Sequence, residues 1–291
     1  MARRRLVGRV AAGTDRIAST DRWGSAMKSV VLITGASSGI GAALAKVFAA
    51  HGNEHGHELV LVARRQDRLA ALADEIAAIG QPRPTVFTAD LERRDAASAI
   101  AAELSSRGLE PAIVVNNAGF GLTGAATALN RDEQLAMIDV NVRALTELSL
   151  MFVDSLARHR GGILNVASLA AFLPGPGMAV YYASKAYVLS FSEALHRELA
   201  DRGVRVTALC PGPVPTEFQA RAGMGRIPAG RALELSAERV AQIGYDAFMA
   251  GQRVVIAGIG NRIVVSLMRL VPNALILRLA DQRPHSARGG Q

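Results

Sequence analysis

The sequence predicts an α/β fold, a doubly wound parallel sheet of about seven strands with helices on both faces. Three observations carry this. From Ser29 onward, short β-branched runs alternate with longer helical patterns. The short runs are almost continuously apolar, as expected for strands covered on both sides. A glycine-rich turn follows the first run, at the edge where such sheets take their ligands.

The predicted strands are residues 30–34, 59–63, 85–88, 113–116, 162–167 and 205–210, with 254–257 as a last one. The first ends on Gly35, the second on Arg64-Arg65, the fourth before Asn117, the fifth before Ser168 and the sixth before Pro211. Between them lie helical patterns over 39–50, 68–79, 96–107, 131–156 and 181–201. The alternation implies right-handed crossovers and a parallel sheet. No repeat or low-complexity linker interrupts residues 27–258, which read as one domain flanked by a basic tail (1–26) and a basic, amphipathic extension (259–291).

The chain of 291 residues carries a net charge of +8, but the charge is not spread evenly. Residues 1–26 hold +4 and residues 252–291 hold +5, which leaves −1 for the body. That distribution, 4% aromatic residues and the lack of a reading motif argue against a nucleic-acid binder. The lone Cys210 rules out a disulfide framework and suits a reducing, cytoplasmic setting. The tail lacks the apolar core of a signal peptide, and Asp15 and Asp21 count against a transit peptide. Met27 directly precedes the first strand, so an upstream start-site extension is one reading of the tail. No apolar run of about 18 residues marks a spanning helix.

Chemistry concentrates at the carboxyl ends of the strands. Gly35, Gly39 and Gly41 are spaced so that backbone N–H groups approach a pyrophosphate at a helix N-terminus. Ser37 and Ser38 offer hydroxyls to the helix end or to phosphate. At the end of the second strand, where an NAD-preferring site places a carboxylate, stand Arg64 and Arg65. A guanidinium grips a 2′-phosphate, so NADP(H) is favoured over NAD(H), with Arg64 the better placed because it comes first. Tyr181 and Lys185 are four apart at the head of a helix and share a face. A neighbouring ammonium favours the phenolate, and Ser168 ends the preceding strand at the same edge.

In these motifs and their order the chain resembles the short-chain dehydrogenase/reductase family, in its compact single-domain Rossmann form, over residues 30–216. The resemblance implies hydride transfer between a nicotinamide and a carbonyl or carbinol carbon, with Asn141, Ser168, Tyr181 and Lys185 as the catalytic set. Tyr181 would exchange the proton, Lys185 lower its pKa and hold the ribose, Ser168 orient the oxygen, and Asn141 keep a water relay. The implied cofactor contacts are Gly35, Ser37, Ser38, Gly39, Ile40, Gly41, Arg64, Arg65, Asp90, Leu91, Asn117, Ala118, Gly119, Tyr181, Lys185, Pro211, Gly212, Val214 and Thr216. Among them Asp90 would meet the adenine and residues 211–216 the nicotinamide. A homo-oligomer, dimer or tetramer, is implied as well. A non-catalytic NADPH-binding regulator is the alternative, and the complete catalytic set counts against it.

Three segments remain. His51, His55 and His57 with Glu54 and Glu58 lie at the amino end of the second strand, opposite the site, and read as a polar loop, with no metal expected. Residues 213–235, with Met224, Gly225 and Gly230, read as a lid over a mostly apolar pocket that includes Phe120, 169–176 and Met178, which favours an apolar carbonyl or alcohol substrate. Arg262 and Arg269 share a helix face near Ile263 and Leu267, so the extension either lies on an anionic membrane surface or packs on protein.

Overall fold

The computed structural model describes residues 27–52, 56–223 and 233–281. The tail 1–26, His55 and Glu54, the part of the expected lid at 224–232, and residues 282–291 lie outside the described residues. The strands are β1 (Lys28–Thr34), β2 (Glu58–Ala63), β3 (Thr85–Thr88), β4 (Leu109–Asn116), β5 (Gly162–Val166), β6 (Arg205–Cys210) and β7 (Val254–Ile256). They form one seven-stranded sheet in the order β3-β2-β1-β4-β5-β6-β7, and every pairing is parallel. The order reverses between β1 and β4, which opens a crevice at their carboxyl ends.

The helices that cover the sheet are α1 (Gly39–Ala50), α2 (Gln66–Ala78), α3 (Ala96–Ser106), α4 (Arg131–Ile138), α5 (Leu145–Met151), α6 (Val153–Arg158) and α7 (Ala179–Glu198). They continue with α8 (Glu217–Arg221), α9 (Ala237–Met249), α10 (Ile259–Met268) and α11 (Asn273–Asp281). Successive residues of β1 serve opposite faces: Val30 and Leu32 join Ile100, Met137 and Leu148, whereas Val31 and Ile33 join Leu44, Phe48 and Phe248. Both faces are therefore dry, which is why the strands are apolar without alternation. Each fully buried Leu, Ile or Phe contributes about 1.5–3 kcal/mol.

Two elements differ from the sequence expectation. The single helix expected over 131–156 is divided by a π-helical turn, Asp139–Ala144, and again at Phe152. The π-turn holds Asn141, whose fully buried amide bonds backbone outside the helix. Strand β4 starts at Leu109, earlier than expected, and runs through Pro111 in the sheet interior. A proline offers no N–H to a ladder, and the register against β1 shifts there: Val30 faces Pro111 while Val31 faces Ile113.

The histidine loop has structural partners. The His51 ring stacks on Tyr245 at 4.4 Å and its Nδ1 lies 2.9 Å from the Val47 carbonyl. His57 Nδ1 lies 2.8 Å from Ser29 Oγ. Among the described residues, no group of three or more His, Cys, Asp or Glu is placed to hold a metal. No described helix is long and apolar enough to cross a membrane.

Candidate active site

Strand β1 delivers the turn that opens α1. Gly35 and Gly39 have φ of +65° and +56°, in the left-handed region that disfavours side chains. At Gly41 the demand is steric: a Cβ would stand 2.3 Å from the Gly35 carbonyl oxygen. The turn is closed on the β4 side by Asn117, which donates from Nδ2 to the Thr34 and Gly35 carbonyls. Thr34 Oγ1 accepts from the backbone N–H of Asn117 and Ala118 at 3.1 Å, so one buried hydroxyl binds the two crevice walls together. Thr216 reaches the same place from the far side, 3.1 Å from a Cβ built on Gly39. No acidic residue occupies the first turn of α1, which leaves its N-terminal partial charge to an anion.

The two arginines after β2 part company. Arg64 turns to Glu92, 2.8 Å away, and to Asp90 at 4.0 Å. Arg65 lies over the glycine turn, where Nη2 donates to Ser37 Oγ and Ser38 Oγ, both at 3.0 Å. Arg65, and not Arg64, is therefore the arginine beside the phosphate turn, because Arg64 is drawn along the sheet edge by the carboxylates that follow β3. Asp90 accepts from the Glu92 N–H and keeps an exposed carboxylate, while Leu91 is buried in the core. These groups fit a dinucleotide: glycines for close approach, a free helix end, a cation with two hydroxyls, and a carboxylate farther along the crevice.

The second cluster sits on β5, α7 and the π-turn. Lys185, 5% exposed, donates to the Val166 carbonyl at 2.8 Å. Both Asn141 and Lys185 crowd Gly119, where a Cβ would lie 2.9 Å from Asn141 Oδ1 and 3.4 Å from Lys185 Nζ. Asn141 accepts from the Phe120 N–H and donates to the Phe120 carbonyl and to Ser184 Oγ. Ser168 caps the short 3₁₀ turn Leu169–Phe172 by accepting from the Ala170 N–H. The Leu169 N–H bonds the Pro211 carbonyl, which ties this turn to the 211–216 segment. Gly212, Val214 and Ile40 complete the rim, with Val214 buried and the other two half-buried.

Burial controls the protons. It pushes the Tyr181 phenol up to about 12, while a hydrogen bond with the Ser168 side chain pulls the other way. It also brings the Lys185 ammonium down to about 8, because a desolvated charge is costly. Lys185 is not among the groups that move the phenol, whose rise is dominated by burial. Tyr181 is neutral at pH 7.

The site also contains residues that motif reading passed over. Asn116 donates to Ser149 Oγ and to Asn165 Oδ1, and Asn165 donates in turn to Ser192 Oγ, a buried polar ladder beneath the catalytic edge. The Phe218 ring lies 5.4 Å from that of Tyr181, and the Arg221 guanidinium lies 4.1 Å over the Phe120 ring. Asn261 of α10, 2% exposed, donates to the Ala257 carbonyl and fills the space that a side chain at Gly212 would need. The sequence signal for Phe218 and Arg221 was only their nearness to Thr216. For Asn261 it was a lone amide in an apolar run.

Residues 29–226 match the pattern of the short chain dehydrogenase family. The chain belongs to this family. Among curated proteins it is 39% identical over 200 residues to sulfoacetaldehyde reductase 2 of Chromohalobacter salexigens, which covers 66% of this chain and 75% of that protein. It is 37% identical over 195 residues to the NADP-dependent 3-hydroxy acid dehydrogenase YdfG of Salmonella typhi, covering 65% and 74%. Among solved structures, a short-chain dehydrogenase from Sphingobium yanoikuyae in complex with NADPH superposes with a TM-score of 0.72 at 30% identity, covering 90% of this chain and 98% of that one. This short-chain dehydrogenase is accordingly an NAD(P)-dependent oxidoreductase that interconverts a carbonyl and an alcohol. The reading as a non-catalytic regulator gives way.

Proposed function

We propose that the enzyme uses NADP(H) in preference to NAD(H) and that Tyr181 is its general acid/base, with Ser168, Lys185 and Asn141 as the rest of the catalytic set. The observation that carries the reading is a neutral phenol, 9% exposed, beside a serine hydroxyl and one helical turn from a buried lysine. The bound nicotinamide supplies or accepts the hydride. Ser168 hydrogen-bonds the substrate oxygen and fixes it against the phenol. Tyr181 donates its proton to that oxygen in reduction and takes it back in oxidation. Lys185 and Asn141 both flank Gly119 and hold the polar end of the path by which the proton is replaced. NADP(H) preference rests on Arg65 over Ser37 and Ser38, with no carboxylate on that turn except the one brought by Glu217. Replacement of Tyr181 by Phe should preserve NADPH affinity and abolish turnover; retained turnover would overturn the assignment.

Phe120, Leu122 and Met178 pack in one apolar cluster with Tyr181, which supports an apolar carbonyl compound. NADPH oxidation against ketones, aldehydes, steroids and 3-oxoacyl thioesters, with NADH as control, tests both substrate class and cofactor choice. Faster turnover with NADH, or activity confined to charged aldehydes, would refute the respective part.

The extension supports a second role, peripheral contact with an anionic membrane. Of α10, only Asn261 and Val265 are buried, and Ile259, Ile263, Leu267 and Leu270 stand 55–82% exposed. Arg262, Arg269 and Arg278 accompany them, and no Asp or Glu occurs from residue 254 to 280. Two such faces brought together would set arginine near arginine without a carboxylate, whereas anionic headgroups complement them. Co-sedimentation with phosphatidylglycerol vesicles, lost when residues 260–291 are removed, is expected. Failure of the full chain to sediment, with a dimer dissolved by the same truncation, assigns the face to a second copy instead.

A further inference from the structure

Helix α8 links the two halves of the site through its first residue. Glu217 Oε2 lies 2.8 Å from Arg65 Nη1, and its Oε1 lies 3.1 Å from Arg68 Nη1. The same Arg65 guanidinium donates to Ser37 and Ser38 on the phosphate turn. A carboxylate thus already engages the cation that the cofactor reading assigns to the 2′-phosphate. The next residue, Phe218, rests against Tyr181 and close to Gly121, and one turn on Arg221 rests on Phe120, with the Ala222 carbonyl accepting from the Thr123 N–H. The helix that carries the competing carboxylate is therefore the one that packs on the catalytic tyrosine.

We propose that Glu217 is a specificity-determining residue of this enzyme: its carboxylate, anchored also by Arg68, holds Arg65 and yields it to the 2′-phosphate of NADP(H), which releases α8 from the face of Tyr181. The inference rests on the NADP(H) reading given above. Its physical basis is competition between two anions for one guanidinium. A phosphate carries more charge than a carboxylate and matches the guanidinium fork, so it displaces Glu217. A dinucleotide without the phosphate has nothing to offer Arg65 and leaves the pair closed. Glu217 thereby reduces the NADP(H) affinity that Arg65 could provide alone, and in exchange ties the position of α8 to the cofactor that is bound.

The test uses fragments that bind without turnover, 2′,5′-ADP and 5′-AMP, titrated calorimetrically into the full-length protein. The Glu217→Gln variant is expected to bind 2′,5′-ADP about threefold to tenfold more tightly, the range set by exposed ion pairs, and 5′-AMP as before. In an Arg65→Gln background the same change should gain nothing, which separates competition for Arg65 from repulsion through space. Equal gains for both nucleotides, or a gain that survives Arg65→Gln, overturns the proposal. If the parent protein does not distinguish the two nucleotides, the NADP(H) reading itself falls, and the role of Glu217 falls with it. A Phe218→Trp reporter checks the second half: saturating 2′,5′-ADP should change its emission and saturating 5′-AMP should not, and identical changes overturn the coupling to α8.

Discussion

Lys185 and Tyr181 show how one environment moves two protons in opposite senses. The folded-state pKa of Lys185 falls from 10.5 to about 8, so between those values the unfolded chain binds more protons and stability rises with pH. Tyr181 rises from 10.0 to about 12, so above pH 10 the folded state binds more protons and stability is lost again. Lys185→Met keeps the stem and removes the charge. The loss of the bond to the Val166 carbonyl does not depend on pH, but the parent sheds its buried charge as pH rises, so the variant's urea stability relative to the parent should fall by up to about 3 kcal/mol between pH 8 and 10. A gap independent of pH would show that the ammonium is not desolvated. These residues were legible because Tyr181 and Lys185 are helix neighbours four apart and Ser168 ends a strand. Asn165 and Ser192 were not, since their partnership depends on how β5 and α7 pack, which no local spacing reveals.

At the scale of elements, the glycine turn and the π-turn differ in legibility for a physical reason. Gly35, Gly39 and Gly41 announce themselves because only glycine tolerates positive φ or such close approach. Alanine at Gly41 would place its methyl 2.3 Å from a backbone oxygen that cannot move without opening the crevice. Gly41→Ala should therefore abolish 2′,5′-ADP binding and lower the melting temperature, whereas Gly80→Ala, at a position with nothing within 4 Å, should leave nucleotide binding untouched. The π-turn Asp139–Ala144 had no such signal. Its apolar spacing fits an ordinary helix, and the insertion follows from two bonds between Asn141 and the backbone of Phe120, twenty-one residues away in sequence. The divergence of Arg64 and Arg65 was likewise not legible, because the pull of Glu92 and Asp90 on Arg64 is tertiary.

Across the whole molecule, the parallel sheet and the approximate strand positions followed from hydrophobic pattern, since strands covered on both faces are apolar throughout, whereas the order of the strands within the sheet is tertiary and was not legible. The boundary at residue 258 was less informative. Asn261 belongs by sequence to the extension, yet its amide is buried against Ala257, Leu233 and Gly212. Asn261→Ala leaves two backbone carbonyls without their donor at a cost of about 1–3 kcal/mol, a drop of about 3 to 8 °C in Tm. Differential scanning calorimetry would register it, and an unchanged Tm would place Asn261 outside the folded core. Because β7 and α10 follow these side chains in the chain, ribosomal synthesis makes Gly35, Tyr181 and Lys185 long before the amide that packs against Gly212. A nascent chain halted before residue 261 has every catalytic side chain but lacks the wedge beneath the 211–216 segment. In this enzyme the order of translation and the completion of the support beneath the 211–216 segment coincide.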